Sequence, residues 1–266
     1  MISVSMLKGI WNYRGFIFGS VKREFQSKYR NSILGAAWTV IHPLAMIIVY
    51  TIIFSQIMHA RLPGMDSTFA YSIYLCSGVI TWGLFAEITG RCQNIFLDNA
   101  NLIKKLSFPR ICLPVIVLIS SGLNFSIIFS LFILFLVLSG NFPGVVILAV
   151  VPVLIVQIVF AIGLGIILGV LNVFFRDVGQ LFNIVLQFWF WFTPIVYPVT
   201  ILPEKVRFLM NSNPMAALVN AYQTIMVNSQ CPQWEKLLPV AFVGLLLCII
   251  GIRLFRKRAG EMVDEL

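Results

Sequence analysis

Six apolar stretches, at residues 33–58, 69–90, 115–138, 145–174, 181–198 and 237–254, alternate with polar ones along this chain of 266 residues. A bilayer core about 30 Å thick is crossed by roughly 20 residues of helix rising about 1.5 Å each, and all six stretches are near or beyond that length. Hydrocarbon offers no partner for backbone N–H and C=O groups, so a lone apolar stretch crosses as a helix. With 59% hydrophobic residues the chain also exceeds the apolar share of about 45–50% found in soluble domains. These features predict an all-α integral membrane protein with six transmembrane helices, residues 1–266 forming one transmembrane domain.

The polar stretches have individual characters. In the arm, residues 1–31, Leu7, Ile10, Trp11, Ile17, Phe18, Val21 and Phe25 recur at roughly helical spacing between basic residues, which predicts an amphipathic helix in the membrane interface. The first apolar stretch carries no Lys, Arg, Asp or Glu, and His42-Pro43 should kink it near its start. His42 is either a proton-relay group or a structural histidine at a helix end. Glu87 precedes Arg91 by one helical turn, an order that favours an ion pair, either interfacial or in contact with a gate or partner. Residues 91–114, RCQNIFLDNANLIKKLSFPRICLP, are a basic island in which Phe96, Ile103 and Leu106 can share a helical face opposite Asp98, Asn101 and Lys105. That pattern reads as a docking helix or a solvated loop. Further on, Ala161, Gly165 and Gly169 form a small-xxx-small ladder for close helix packing in lipid. Pro203, Pro214 and Pro232 cut residues 199–236 into two short helical pieces suited to the outer interface.

Charge orients the chain. Fifteen of its nineteen Lys and Arg residues fall in the arm, the island, the turn at Arg176 and the tail, and four (Arg61, Lys205, Arg207 and Lys236) fall on the other side. This positive-inside bias predicts both termini in the cytosol. It also accounts for most of the net charge of +9 without invoking nucleic acid, for which no motif is present.

No chemistry-bearing pattern emerges. The sequence has no G-x-x-x-x-G-K-[ST] phosphate loop, no G-x-S-x-G, no H-E-x-x-H and no EF-hand loop. Its five cysteines include no C-x-x-C pair. Neither a catalytic residue nor a bound metal or cofactor is expected in this chain. Carboxylates are almost absent from the apolar stretches, whereas an ion-coupled carrier needs ionisable groups there. A transporter of this composition must draw energy from a partner.

Four stretches then carry a resemblance: residues 28–44 (KYRNSILGAAWTVIHPL), 99–114 (NANLIKKLSFPRICLP), 171–181 (LNVFFRDVGQL), and 192–198 (FTPIVYP) with 213–226 (NPMAALVNAYQTIM). In order and over nearly the whole chain, they resemble the membrane subunit of type-2 ABC exporters of polysaccharides. The resemblance implies a homodimer in the bacterial cytoplasmic membrane, joined to two cytosolic ATPase subunits that bind ATP and Mg. It implies that the arm holds an interface helix and that residues 94–106 are the coupling helix seated in the ATPase. The coupling residues would be Asn94, Asp98, Asn101, Lys104, Lys105 and Arg110. Two short gate helices would lie outside between the fifth and sixth crossings, and the cargo would be a lipid-linked polysaccharide such as O-antigen, capsule or teichoic acid.

Sugar rings stack on aromatic faces, so Tyr50, Phe188, Trp189, Trp191 and Tyr197 are candidates to line a path for such a polymer. The consecutive Trp189, Phe190 and Trp191 point around a helix, so only part of the run can do so, and an interfacial aromatic belt explains it equally. Two other classes remain: a related exporter of drugs or small lipids, and a membrane-embedded transferase, for which Glu87, Asp98 and Asp177 form no catalytic constellation.

Overall fold

The computed structural model describes residues 4–29, 34–53, 69–105, 108–199 and 203–266. Residues 54–68, which hold the end of the first predicted crossing and the loop after it, lie outside the described residues, as does Leu106 of the predicted coupling helix. Every regular element among the described residues is helical. In chain order they are α1 (Val4–Asn12), α2 (Arg14–Tyr29), α3 (Trp38–Thr51), α4 (Ala70–Asp98), α5 (Ala100–Lys105), α6 (Cys112–Leu138), α7 (Val150–Phe174), α8 (Asp177–Trp191), α9 (Glu204–Asn211), α10 (Pro214–Asn228), α11 (Trp234–Arg258) and α12 (Glu261–Glu265).

Among the described residues four helices are long and apolar enough to cross a membrane: α4, α6, α7 with its preceding 3-10 turn from Gly144, and α11. The stretches at 33–58 and 181–198 contain shorter described helices, α3 of 14 residues and α8 of 15. Helix α8 stops at Trp191 because Pro194 has no N–H to donate, and its ring disfavours a helical Thr193 before it. Helix α4, by contrast, runs past Arg91 to Asp98, so the first third of the basic island is helical. Nothing between Arg91 and Asp98 breaks a helix, and Cys92 and Phe96 stay buried. The break comes at Asn99, whose side-chain amide donates to the Ile95 carbonyl at 2.8 Å and closes the helix end.

Helix α7 is the centre of the bundle, packed between α4 and α11. Its glycines make that possible. A Cβ on Gly165 would lie 2.6 Å from the Cys92 Cβ, and one on Gly169 would lie 2.5 Å from the Cys92 carbonyl oxygen, both on α4. On the other face, a Cβ on Gly163 would lie 2.7 Å from the Cys248 amide nitrogen of α11. In lipid no hydrophobic force pushes helices together, so dispersion at such close approach carries much of the association. A buried hydrogen bond adds to it, from Gln157 Nε2 of α7 to the Thr81 carbonyl of α4 at 2.7 Å.

Among the described residues most of the buried apolar side chains fall into two main cores. The larger joins α4, α6, α7, α10 and α11. The second gathers one end of the bundle: Ile17 and Val21 of α2, Phe96 of α4, Ile103 of α5, Cys112 of α6, Val170 of α7, Phe255 of α11 and Met262 of α12. The predicted interface arm is thus fastened to the helix bundle, with Ile17 and Val21 buried and Trp11 and Phe18 left 69% and 62% exposed.

Candidate functional site: the basic end and the face of α8

At the end built on the second core, the coupling candidates divide. Asp98, Asn101, Lys104 and Lys105 are exposed. Asn94 is partly buried and accepts a hydrogen bond from Asn172 Nδ2 of α7 at 3.0 Å. Arg110 reaches sideways to donate to the Ala259 carbonyl of the tail. Ile103, the one buried residue of α5, anchors that short helix and leaves its lysines outward. An open recess of about 710 Å³ lies between α5, the link to α6 and α12, bordered by Lys104, Lys105 and Arg110.

The Glu87–Arg91 pair is present at 3.4 Å, one helical turn apart on α4. Arg91 has a nearer carboxylate, Glu24 of α2 at 2.5 Å, which the sequence reading did not single out. Ser120 Oγ of α6 donates to Glu24 at 2.9 Å, and Asn124 Nδ2 of α6 donates to Glu87 at 2.8 Å. One guanidinium held between two carboxylates therefore ties the arm, α4 and α6 together. A lone acid in the amphipathic arm was the available signal, but its partner depends on tertiary packing.

A second polar knot joins α4, α7 and α8. Asn172 Nδ2 donates to the Gln93 carbonyl at 2.9 Å as well as to Asn94, and its oxygen accepts from the Gly179 amide at 2.9 Å. Gln93 Nε2 donates to Asn183 Oδ1 at 3.0 Å. An Asn near the end of an otherwise apolar helix is the kind of residue that marks such a knot.

The aromatic candidates are not brought together. Trp189 turns inward, its ring 5.3 Å from Phe85 and 6.3 Å from Trp82 with edge-on geometry, and its Nε1 donates to Asn213 Oδ1 at 2.9 Å. Phe188 and Trp191 face outward, each 59% exposed. Tyr197 sits in the irregular segment after α8, where its hydroxyl donates to the Trp191 carbonyl at 2.6 Å. Tyr50 lies elsewhere, on a cavity of about 240 Å³ between α3, α4 and α6 that His42 and Glu87 also line.

The outward face of α8 has mixed chemistry. Gln180, Asn183 and Gln187 recur at helical spacing and are exposed, flanked by Leu181, Ile184, Phe188 and Trp191. Just beyond it, residues 192–197 run without a helix, yet their carbonyls find donors. The Tyr74 hydroxyl is shared between the Pro194 and Tyr197 carbonyls at 3.1 and 3.0 Å, Gln223 Nε2 reaches Pro194 at 3.2 Å, and Asn213 Nδ2 reaches Phe192 at 3.0 Å. Tyr71 donates to the Val196 carbonyl. Irregular backbone is tolerated at membrane depth when protein satisfies it in this way. The donors on α10 are placed by its start: Asn213 caps the helix by accepting from the Met215 amide at 3.0 Å, with Pro214 in the first turn. Among the described residues no group of three or more His, Cys, Asp or Glu side chains is arranged to hold a metal ion.

A family model described as ABC-2 type transporter matches residues 16–227. The chain is 29% identical over 265 residues to an O-antigen export system permease protein RfbA of Myxococcus xanthus, covering 99% of this chain and 100% of that protein. It is 28% identical over 236 residues to a protein of the same description from Klebsiella pneumoniae, covering 88% of each. It is 21% identical over 244 residues to the polysialic acid transport protein KpsM of Escherichia coli, covering 91% of this chain and 93% of that protein.

Proposed function

Because the chain belongs to the ABC-2 type transporter family and is a multi-pass membrane protein, we propose that it is the membrane subunit of an exporter that moves a lipid-linked polysaccharide outward across the bacterial cytoplasmic membrane. The relatives described as O-antigen and polysialic acid transporters support that cargo class. Energy comes from a separate ATPase subunit that binds ATP and Mg, and the assembly holds two copies of each chain. The chain crosses the membrane six times with both ends in the cytosol, α3 and α8 contributing the first and fifth crossings and α9 and α10 forming the outer gate pair. The exposed ends of α4 and α5 receive the ATPase at Asp98, Asn101, Lys104 and Lys105, while Asn94 and Arg110 hold that surface from behind.

One observation carries the transport path. The outer face of α8 alternates amides with aromatic and aliphatic side chains, Gln180, Asn183 and Gln187 against Phe188 and Trp191. Asn183 has Gln93 as a partner for its oxygen, but facing lipid the side-chain amides of Gln180 and Gln187 would lose the water that solvates them, at considerable cost. Facing a water-filled path completed by a second copy, they stay solvated, and the rings offer weak, repeated stacking to a sliding sugar chain. Trp189 is outside this path because its ring belongs to the core.

The test is export in cells. A strain deleted for this chain accumulates lipid-linked polysaccharide inside, and restoring the chain together with its ATPase returns the polymer to the surface. Export restored without the ATPase, or restored transport of a drug with no effect on polysaccharide, contradicts the reading.

A further inference from the structure

The tail of the chain is attached where the ATPase is expected to push. Helix α12 has five residues, too few to be stable unless packing holds it. Met262 supplies that packing: it is 0% exposed and belongs to the cluster that holds Ile103 of α5, Cys112 of α6 and Phe255 of α11. Arg110, in the link between α5 and α6, donates to the Ala259 carbonyl just before α12. Arg258 and Glu261 form an ion pair across the intervening turn. Helix α5 has little hold of its own, since Ile103 is its one buried side chain. The match to the family model ends at residue 227 and does not include the tail.

We propose that residues 259–266 are a clasp that fixes α5 in position, so that the ATPase-docking surface is built from two distant segments of the chain, α5 and α12. The clasp acts through the packing of α12 against α5 in the core that Met262 and Ile103 share and through the Arg110 bond to the tail backbone. It makes α5 a rigid lever. Force on Lys104 and Lys105 passes into the second core, and from there into α4 and α6, without being lost in movement of a short helix. Met262 is thus a positioning residue that touches neither ATP nor cargo. This inference rests on the reading that α5 receives the ATPase.

Three forms are compared with the full chain, each made with the cognate ATPase: a chain ending after Gly260, Met262→Ala and Met262→Leu. Leu102→Cys in each background, in membranes without bound ATPase, reports release of α5 by its rate of thiol labelling, since Leu102 is partly buried against the second core. Loss of preorganisation is expected to weaken ATPase binding about tenfold in the shortened chain and severalfold in Met262→Ala. Leu102→Cys should label faster in both, the amount of chain in the membrane should be unchanged, the melting temperature should fall because a side chain buried in the second core is lost, and Met262→Leu should behave as the parent. Binding and labelling equal to the full chain in the shortened form or in Met262→Ala overturn the clasp. If the full chain itself binds no ATPase, the parent reading fails, and the labelling rates alone decide whether the tail holds α5.

Discussion

The guanidinium of Arg91 lies 2.5 Å from the carboxylate of Glu24, closer than the 3.4 Å to Glu87 one turn away on its own helix. The two partners are roughly a third exposed, so removing Glu24 costs little, about 0–1 kcal/mol. Removing Arg91 is worse, because two carboxylates are left facing each other, and a loss of about 1–3 kcal/mol is expected. Thermal unfolding in detergent should therefore rank Arg91→Ala below Glu24→Gln, and Glu24→Gln should also speed proteolysis of the arm. Equal effects would mean that Arg91 does not hold the arm.

Close packing of α7 gives a sharp contrast. Gly169→Val places carbon against the α4 backbone, where a Cβ already meets an oxygen at 2.5 Å, so the helices must separate. Overpacking of this kind costs about 1–3 kcal/mol or more, and the variant should accumulate poorly in membranes. Gly122→Ala on α6, where a Cβ meets nothing within 4 Å, should be neutral or stabilising by about 0.5–1 kcal/mol.

The neighbouring tryptophans of α8 have opposite roles. Trp189→Ala opens the ring cluster with Trp82 and Phe85 and removes one of the hydrogen bonds to Asn213, so a loss of about 3–5 kcal/mol of stability is expected. Trp191→Ala, on the exposed face, should leave the melting temperature nearly unchanged and slow polysaccharide export. Melting curves and export rates of the two variants side by side check both halves.

Asn172→Leu removes the side chain that bonds Gln93, Asn94 and the Gly179 amide. Side-chain hydrogen bonds within membranes average well under 2 kcal/mol each, so a total loss of about 1–3 kcal/mol is expected, with α8 loosened from α4. Faster hydrogen exchange at Gly179 and its neighbours would report the loosening, and unchanged exchange would refute it.

Elements whose signal is local were readable from sequence. The apolar runs located the long helices, and the spacing of Gly165 and Gly169 located the α7 packing face. The spacing of Glu87 and Arg91 located a pair that forms on one helix. Elements fixed by distant partners were not readable. Glu24 carries no local signal beyond being the lone acid of the arm, because its partner is 67 positions away. The inward turn of Trp189 depends on Phe85, Phe160 and Asn213, so the aromatic run alone left belt and channel undecided. Helix α12 is too short to show a periodic pattern, and only the burial of Met262 reveals it.

The central claim is that α5 passes force from an ATPase to a path through the membrane. Proteoliposomes containing this chain, its ATPase and lipid-linked polysaccharide test it directly, comparing the parent with the exposed double variant Lys104→Glu and Lys105→Glu. ATP-dependent movement of the polymer across the bilayer is predicted for the parent and its loss for the variant, with the variant still folded. Transport without the ATPase, or full transport by the charge-reversed chain, would contradict the account.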